Sequence, residues 1–238
     1  MDNSSLQAVT FTNSGYLDYT HNLIESINKN KTLTNLEVVV IDEESDSYFK
    51  KIHDNVSFFK TNYVQKKNDI WKQDDEDFGN LMMTKFEVIY QSLCKYEKVL
   101  YLDGDIVIKR NFDKALNNFL GNNDIIFQND RRPSKPNEIK ICAGFMYIHS
   151  NEKTRNFFNP ENVPFKKVVS YKAHDQTYIT KSKNKFNHSI LPMALFPNGP
   201  YFYEHHKNLD PYIVHFNFLI GHNKKDKMKE MGEWYLND

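Results

Sequence analysis

The stretch Lys98-Val-Leu-Tyr-Leu-Asp103-Gly104-Asp105-Ile-Val-Ile108 constrains this chain more than any other. An apolar run leads into an Asp-Gly-Asp, and a second apolar run leaves it. The pattern predicts a buried strand that stops at Asp103 and a turn at Gly104, where a larger side chain would obstruct close approach. Two carboxylates at the mouth of a central strand are costly beside a core unless something neutralises them. A hard divalent cation with oxygen ligands is the natural partner, and it would bring a phosphate-bearing substrate with it. Asp-Gly-Asp is also a common solvated turn, so the rest of the chain has to decide between the two readings.

At 238 residues the chain suits one large α/β domain over 1–238. The 31 basic and 31 acidic residues cancel, which argues against a nucleic-acid binder that works by bulk charge. The acidic run Asp74-Asp75-Glu76-Asp77 and the basic run Lys224-Lys225-Asp-Lys227 are local exceptions. Cys94 and Cys142 are too few for a disulfide framework or a zinc site; each sits in an apolar pattern that predicts a buried, reduced thiol. No leading segment resembles a signal peptide and no run is long enough to span a bilayer. The expectation is a soluble, cytoplasmic chain, any membrane anchor lying outside it.

Leu6–Phe11 reads as a first strand, with a helix over 16–28 and a second strand over Leu36–Ile41. This strand–helix–strand start is that of a parallel sheet whose C-terminal loops form a binding crevice. A short helix near 46–53 and a short strand near 56–59 follow. An amphipathic helix over Phe78–Tyr96 then feeds the strand before Asp103. Further along, the pattern predicts a helix over 113–120 ended by Gly121, and strands over Asp124–Gln128 and Ile141–Ile148. A helix capped by Asn151 comes next, then a helix opened by His174-Asp175-Gln176 and a strand over Ser189–Leu191. A strand over Tyr212–Asn217 and a basic helix over Lys224–Tyr235 finish the chain.

Five ordered features carry a resemblance. They are Thr10 to Asn22, Lys85, Asp103-Gly104-Asp105, Ala143-Gly144-Phe145-Met146 with His174-Asp175-Gln176, and Ile213-Val214-His215-Phe216-Asn217 through Gly221 to Lys224 and Trp234. Together they resemble the GT-A glycosyltransferases of the nucleotide-diphospho-sugar transferase family, which includes plant arabinosyl- and xylosyltransferases. Glycogenin-like and lipopolysaccharide galactosyltransferases are more distantly similar.

The resemblance implies a GT-A (Rossmann-like) domain, with a mixed, mostly parallel central sheet flanked by helices. It implies Mn2+ or Mg2+, a UDP-sugar as donor, a hydroxyl-bearing acceptor (glycan, protein or small molecule) and retention of anomeric configuration. Asp105 would ligate the cation, Asp103 the cation, the ribose hydroxyls or both, and His215 would be the third ligand. Thr10, Thr12, Asn13 and Lys85 would meet the nucleotide or sugar. Gly144 would leave room for the sugar, and Asp175 and Gln176 would line it, with Gln176 near the anomeric carbon. Gln128, Asn129 and Asp130 could touch sugar or acceptor, Asp130 being the best base if the reaction inverts. Gly221 would let backbone N–H groups approach the diphosphate, and Lys224 would supply a point charge. The spacing from His215 to Gly221 exceeds that of the galactosyltransferases, which leaves Lys224, Lys225 and Lys227 all open for that task.

Two other classes compete. A haloacid-dehalogenase-like phosphohydrolase also has an apolar strand and an Asp-x-Asp, although its motif belongs near the N-terminus. A catalytically silent nucleotide-sugar-binding module would keep the fold without the reaction. Trp71, Tyr201, Phe202 and Tyr203 could stack on a sugar acceptor, and the basic C-terminal segment could meet a membrane, a partner or a second copy in a homodimer.

Overall fold

A computed structural model of the protein describes residues 6–63, 76–112, 115, 119, 121–135, 137–138, 140–164 and 174–237. The chain opens with β1 (Leu6–Thr12), α1 (Leu17–Asn30), β2 (Glu37–Val40), α2 (Glu43–Phe49) and β3 (Val56–Phe58). The middle of the chain holds α3 (Glu76–Lys95), β4 (Lys98–Leu102), β5 (Ile106–Ile108), β6 (Ile125–Asn129) and β7 (Ile141–His149). It closes with α4 (Glu152–Phe158), α5 (His174–Ser182), β8 (His188–Ile190), α6 (Gly199–His205), β9 (Ile213–His215) and α7 (His222–Glu230).

Seven strands form one sheet in the order β3-β2-β1-β4-β7-β6-β8. All neighbours are parallel except at β7, which runs antiparallel to β4 and β6. Alternation along each strand divides the apolar residues between two cores. Ala8, Leu100, Leu102 and Tyr147 pack with Leu23, Ile24 and Ile27 of α1 on one face. Val9, Phe11, Val99, Tyr101 and Met146 pack with Met83, Phe86, Ile89 and Leu93 of α3 on the other. Each Val, Leu, Ile, Phe or Met side chain among them contributes about 1.5–3 kcal/mol when taken out of water. β4 is therefore buried on both faces, and its C-terminal end opens where the sheet stops.

β5 and β9 form a separate antiparallel ribbon in which Ile106 faces His215. The Phe216 N–H donates to the Asp105 carbonyl at 3.0 Å, which fixes the end of this pairing beside the Asp-Gly-Asp turn.

Several boundaries differ from the sequence pattern. α2 starts earlier than 46 because the Asp42 side chain accepts from the Ser45 N–H and caps it. α7 ends at Glu230 instead of running to Tyr235, and β9 stops at His215 instead of Asn217. Asn151 caps α4 through a reciprocal box with Thr154, as its position implied. Cys94 is exposed, contrary to expectation, because it lies on the outward side of the last turn of α3; Cys142 is buried. Most of the helix expected over 113–120, and Trp71, lie outside the described residues. Among the described residues no helix is long and apolar enough to cross a membrane.

Candidate active site

A cleft of about 530 Å³ opens at the C-terminal ends of β1 and β4. Its lining includes Thr12, Asn13, Lys85, Asp103, Gly104, Asp105, Asp130, Gly144, Asp175, Gln176, His215 and Lys224. These residues come from eight separate parts of the chain, and the topology explains the meeting. Asp103 follows β4, and its N–H donates to the Gly144 carbonyl of β7 at 2.7 Å. Asp105 leads into β5, whose ribbon partner carries His215. One ligand atom each of Asp103, Asp105 and His215 lie within 4.8 Å of one another.

The two glycines act by close approach. A Cβ on Gly104 would lie 2.5 Å from the Thr20 Oγ1 of α1, so the turn could not pack there. A Cβ on Gly144 would overlap the Asp103 carboxylate and the His215 ring. Gly144, expected to leave room for a sugar, lies in the cleft wall, and its missing side chain is what lets Asp103 and His215 converge there.

Charge inside the cleft is closely matched. Lys85, buried on α3, pairs with Asp103 at 3.1 Å and with Asp175 at 2.8 Å. Burial works against its ammonium, but the two carboxylates outweigh burial and raise its pKa above the ordinary value. The Tyr101 hydroxyl donates to the same Asp103 oxygen that Lys85 meets, Oδ1, at 2.8 Å. Lys224 contacts the Asp105 carboxylate and donates to the Tyr16 hydroxyl at 2.6 Å. Burial would raise the Asp105 pKa, yet Lys224 and His215 hold it well below the usual carboxylate range. His215 Nε2 lies 3.2 Å from Asp105 Oδ1 and 4.0 Å from Asp103 Oδ2. Burial disfavours its imidazolium, but Cys142 and Asp105 flank the ring and raise its pKa well above the ordinary value.

Asp130 is nearly fully buried. Its carboxylate accepts from Gln176 Nε2 at 2.8 Å and from Asn217 Nδ2 at 2.8 Å, and pairs with Lys140 at 3.1 Å. Gln176 Oε1 accepts from the Ala143 N–H at 3.4 Å, so β7 fixes the other end of that amide.

Thr10 does not line the cleft. It lies two residues inside β1, fully buried, and its hydroxyl meets no hydrogen-bond partner among the described residues. Gly221 does not line it either; it has a φ of +56° and stands just before α7, and a Cβ on it would meet nothing within 4 Å. Of the three lysines left open, only Lys224 points inward: Lys225 pairs with Asp18 and Lys227 with Glu230 at the surface. Gln128 is fully buried and faces His215 instead of the cleft. Tyr201, Phe202 and Tyr203 on α6 are absent from the lining.

Sequence reasoning missed Tyr16, Tyr101, Lys140, Arg132 and Phe218, all placed at or against this site. Tyr101 carried a signal, because it sits two residues before Asp103 on the same strand face. Phe218 carried none: its positive φ of 67° belongs to a loop whose shape depends on its neighbours.

Comparison with known proteins agrees with the geometry. The family model described as nucleotide-diphospho-sugar transferase matches residues 31–231. A UDP-galactose:fucoside alpha-3-galactosyltransferase of Dictyostelium discoideum is 29% identical over an alignment covering 76% of this chain and 32% of that protein. The chain thus spans about a third of the length of that curated relative. The galactosyltransferase LgtC, solved with donor and acceptor sugar analogs, superposes with a TM-score of 0.60 at 12% identity, covering 98% of this chain and 97% of that one. The glycosyltransferase GlyE of Streptococcus pneumoniae gives 0.64 at 13%, covering 98% and 62%. Mouse xyloside xylosyltransferase 1 gives 0.56 at 10%, covering 90% and 98%. Neither the phosphohydrolase reading nor the silent-module reading finds support among these matches. With the family match running from just after α1 to the end of α7 and the GT-A neighbours covering nearly the whole chain, this protein belongs to the nucleotide-diphospho-sugar transferase family and is a glycosyltransferase.

Proposed function

We propose that this glycosyltransferase moves a sugar from a UDP-sugar to a hydroxyl acceptor with retention of configuration, using a divalent cation held by Asp103, Asp105 and His215. The observation that carries the reading is the meeting of two carboxylates and one imidazole at the wall of the cleft. Two hard oxygen donors with one borderline nitrogen suit Mn2+, or Mg2+ more weakly. When bound, such a cation screens the pyrophosphate and stabilises the departing nucleoside diphosphate. Lys224 adds positive charge at the same edge of the cleft, within reach of a phosphate that enters beside Asp105.

The remaining side chains position the sugar. Asp175, steadied by Lys85, offers an oxygen to sugar hydroxyls, and Gln176 holds its amide between β7 and Asp130. Retention is supported by how the carboxylates are engaged. Asp130 accepts from three partners and Asp175 is paired with Lys85, so neither is an unpaired nucleophile or base. The acceptor then enters on the face the nucleotide leaves, and the departing phosphate takes its proton. The Dictyostelium relative, named for UDP-galactose and an alpha product, supports a UDP-sugar and retention.

A panel of UDP- and GDP-sugars tests this with Mn2+ and with EDTA, scoring hydrolysis and transfer to simple glycoside acceptors. Turnover of a UDP-sugar in Mn2+ only, with an α-configured product by NMR from an α-linked donor, is expected. An inverted product, or equal turnover in EDTA, contradicts the reading. Asp105→Ala removes a ligand and should lower turnover on the order of 100-fold or more while the circular dichroism spectrum is kept.

A further inference from the structure

Gln128 is fully buried at a register shift in β6, between Phe127 and Gln128, a type of irregularity that re-aims a side chain. Its Nε2 donates to two backbone carbonyls, Phe196 at 3.2 Å and Pro197 at 3.0 Å. Those carbonyls can only accept, so they settle which end of the amide is which. The amide oxygen therefore faces His215 Nδ1, at 2.8 Å. An oxygen in that position requires a proton on Nδ1. The Cys142 sulfur, 3.4 Å from the same nitrogen, accepts weakly and does not alter this requirement.

With Nδ1 committed as a donor, the lone pair of neutral His215 belongs to Nε2, the nitrogen that faces Asp103 and Asp105. The main chain of His215 is anchored separately, its N–H donating to the Pro197 carbonyl at 3.1 Å. What remains free after that is the ring's tautomer and rotation; Gln128 sets the tautomer and, with Asp105 and Cys142 against the ring, restrains the rotation. We infer that Gln128 is a positioning residue that holds His215 in the tautomer and orientation a divalent cation needs. The inference rests on the cation reading proposed above and adds to it a residue that touches neither cation nor substrate.

Two substitutions separate this role from a structural one. Gln128→Met removes both the acceptor and the donors at similar volume. Gln128→Glu keeps an acceptor for Nδ1–H but removes both donations to the carbonyls of 196 and 197. Mn2+ binding is read by electron paramagnetic resonance titration of the free ion, and melting temperature is read in EDTA. Gln128→Met should weaken Mn2+ binding about 10–100-fold. Gln128→Glu should melt lower than wild type yet bind Mn2+ within a few-fold of it. Equal weakening in both variants, or wild-type binding in Gln128→Met, overturns the inference while leaving the cation site intact. A wild-type chain that takes up no Mn2+ overturns the cation reading itself, and this inference with it. A third measurement needs no variant: long-range ¹H–¹⁵N correlation on the wild type loaded with diamagnetic Zn2+ should show the His215 proton on Nδ1. A proton on Nε2 overturns the inference.

Discussion

At Gly144 a single methyl group separates a functioning site from a distorted one. Alanine there would drive its Cβ into Asp103 and His215, the pair whose approach the glycine permits. Overpacking of this kind costs about 1–3 kcal/mol, so Gly144→Ala should melt lower and bind Mn2+ more weakly than wild type, measured on the same sample by calorimetry and titration. Lys85 makes the complementary case for charge. Replacing it by methionine leaves Asp175 buried without its cation, which should destabilise the chain by about 3 kcal/mol or more in urea unfolding. His215 supplies a pH dependence whose sign follows from its raised pKa. The folded value exceeds the ordinary 6.5, so the stability it contributes is fully present below that pH and is lost as pH rises through the folded value. In EDTA, the difference in urea midpoint between wild type and His215→Asn should narrow from about pH 6 to about pH 9. A constant difference across that range would contradict the assignment of the proton to His215.

At the scale of elements, what could be read from the sequence was what is encoded locally. β4 and its Asp-Gly-Asp were legible because a short apolar run and a turn residue are near-neighbour signals, and the α3 pattern that feeds them repeats over many turns. His215 was recognised only through its companions in a family pattern; its meeting with Asp105 depends on the β5–β9 pairing, which joins positions distant in the chain. Thr10 was expected at the nucleotide, but the cleft wall begins at Phe11 and Thr12, and Thr10 lies deeper in β1, fully buried. Gln128 was expected to touch sugar or acceptor because it ends a strand beside the site. The register shift at Phe127 points it at an imidazole instead. Breaking the ribbon should therefore act at a distance. Val214→Pro lies on β9, where proline cannot take part in a ladder, and should abolish Mn2+ binding although no ligand is changed.

Across the whole molecule the charges sum to zero, yet four buried or half-buried carboxylates are gathered in one cleft. Asp103 and Asp175 share Lys85, Asp105 has Lys224, and Asp130 has Lys140. The fold offsets the cost of burying these carboxylates by placing an ammonium against each, and a cation with its diphosphate can join that network without leaving a charge uncompensated. The most direct test is the melting temperature with UDP and Mn2+ together. A ligand at about 100 times its dissociation constant adds about 2.7 kcal/mol, which for a chain of this size is a rise of roughly 5–10 °C. That rise should appear in the wild type, be lost in EDTA, and be absent in Asp105→Asn. A rise from UDP that survives EDTA, or that persists in Asp105→Asn, would contradict the claim that Asp103, Asp105 and His215 hold the cation that carries the nucleotide.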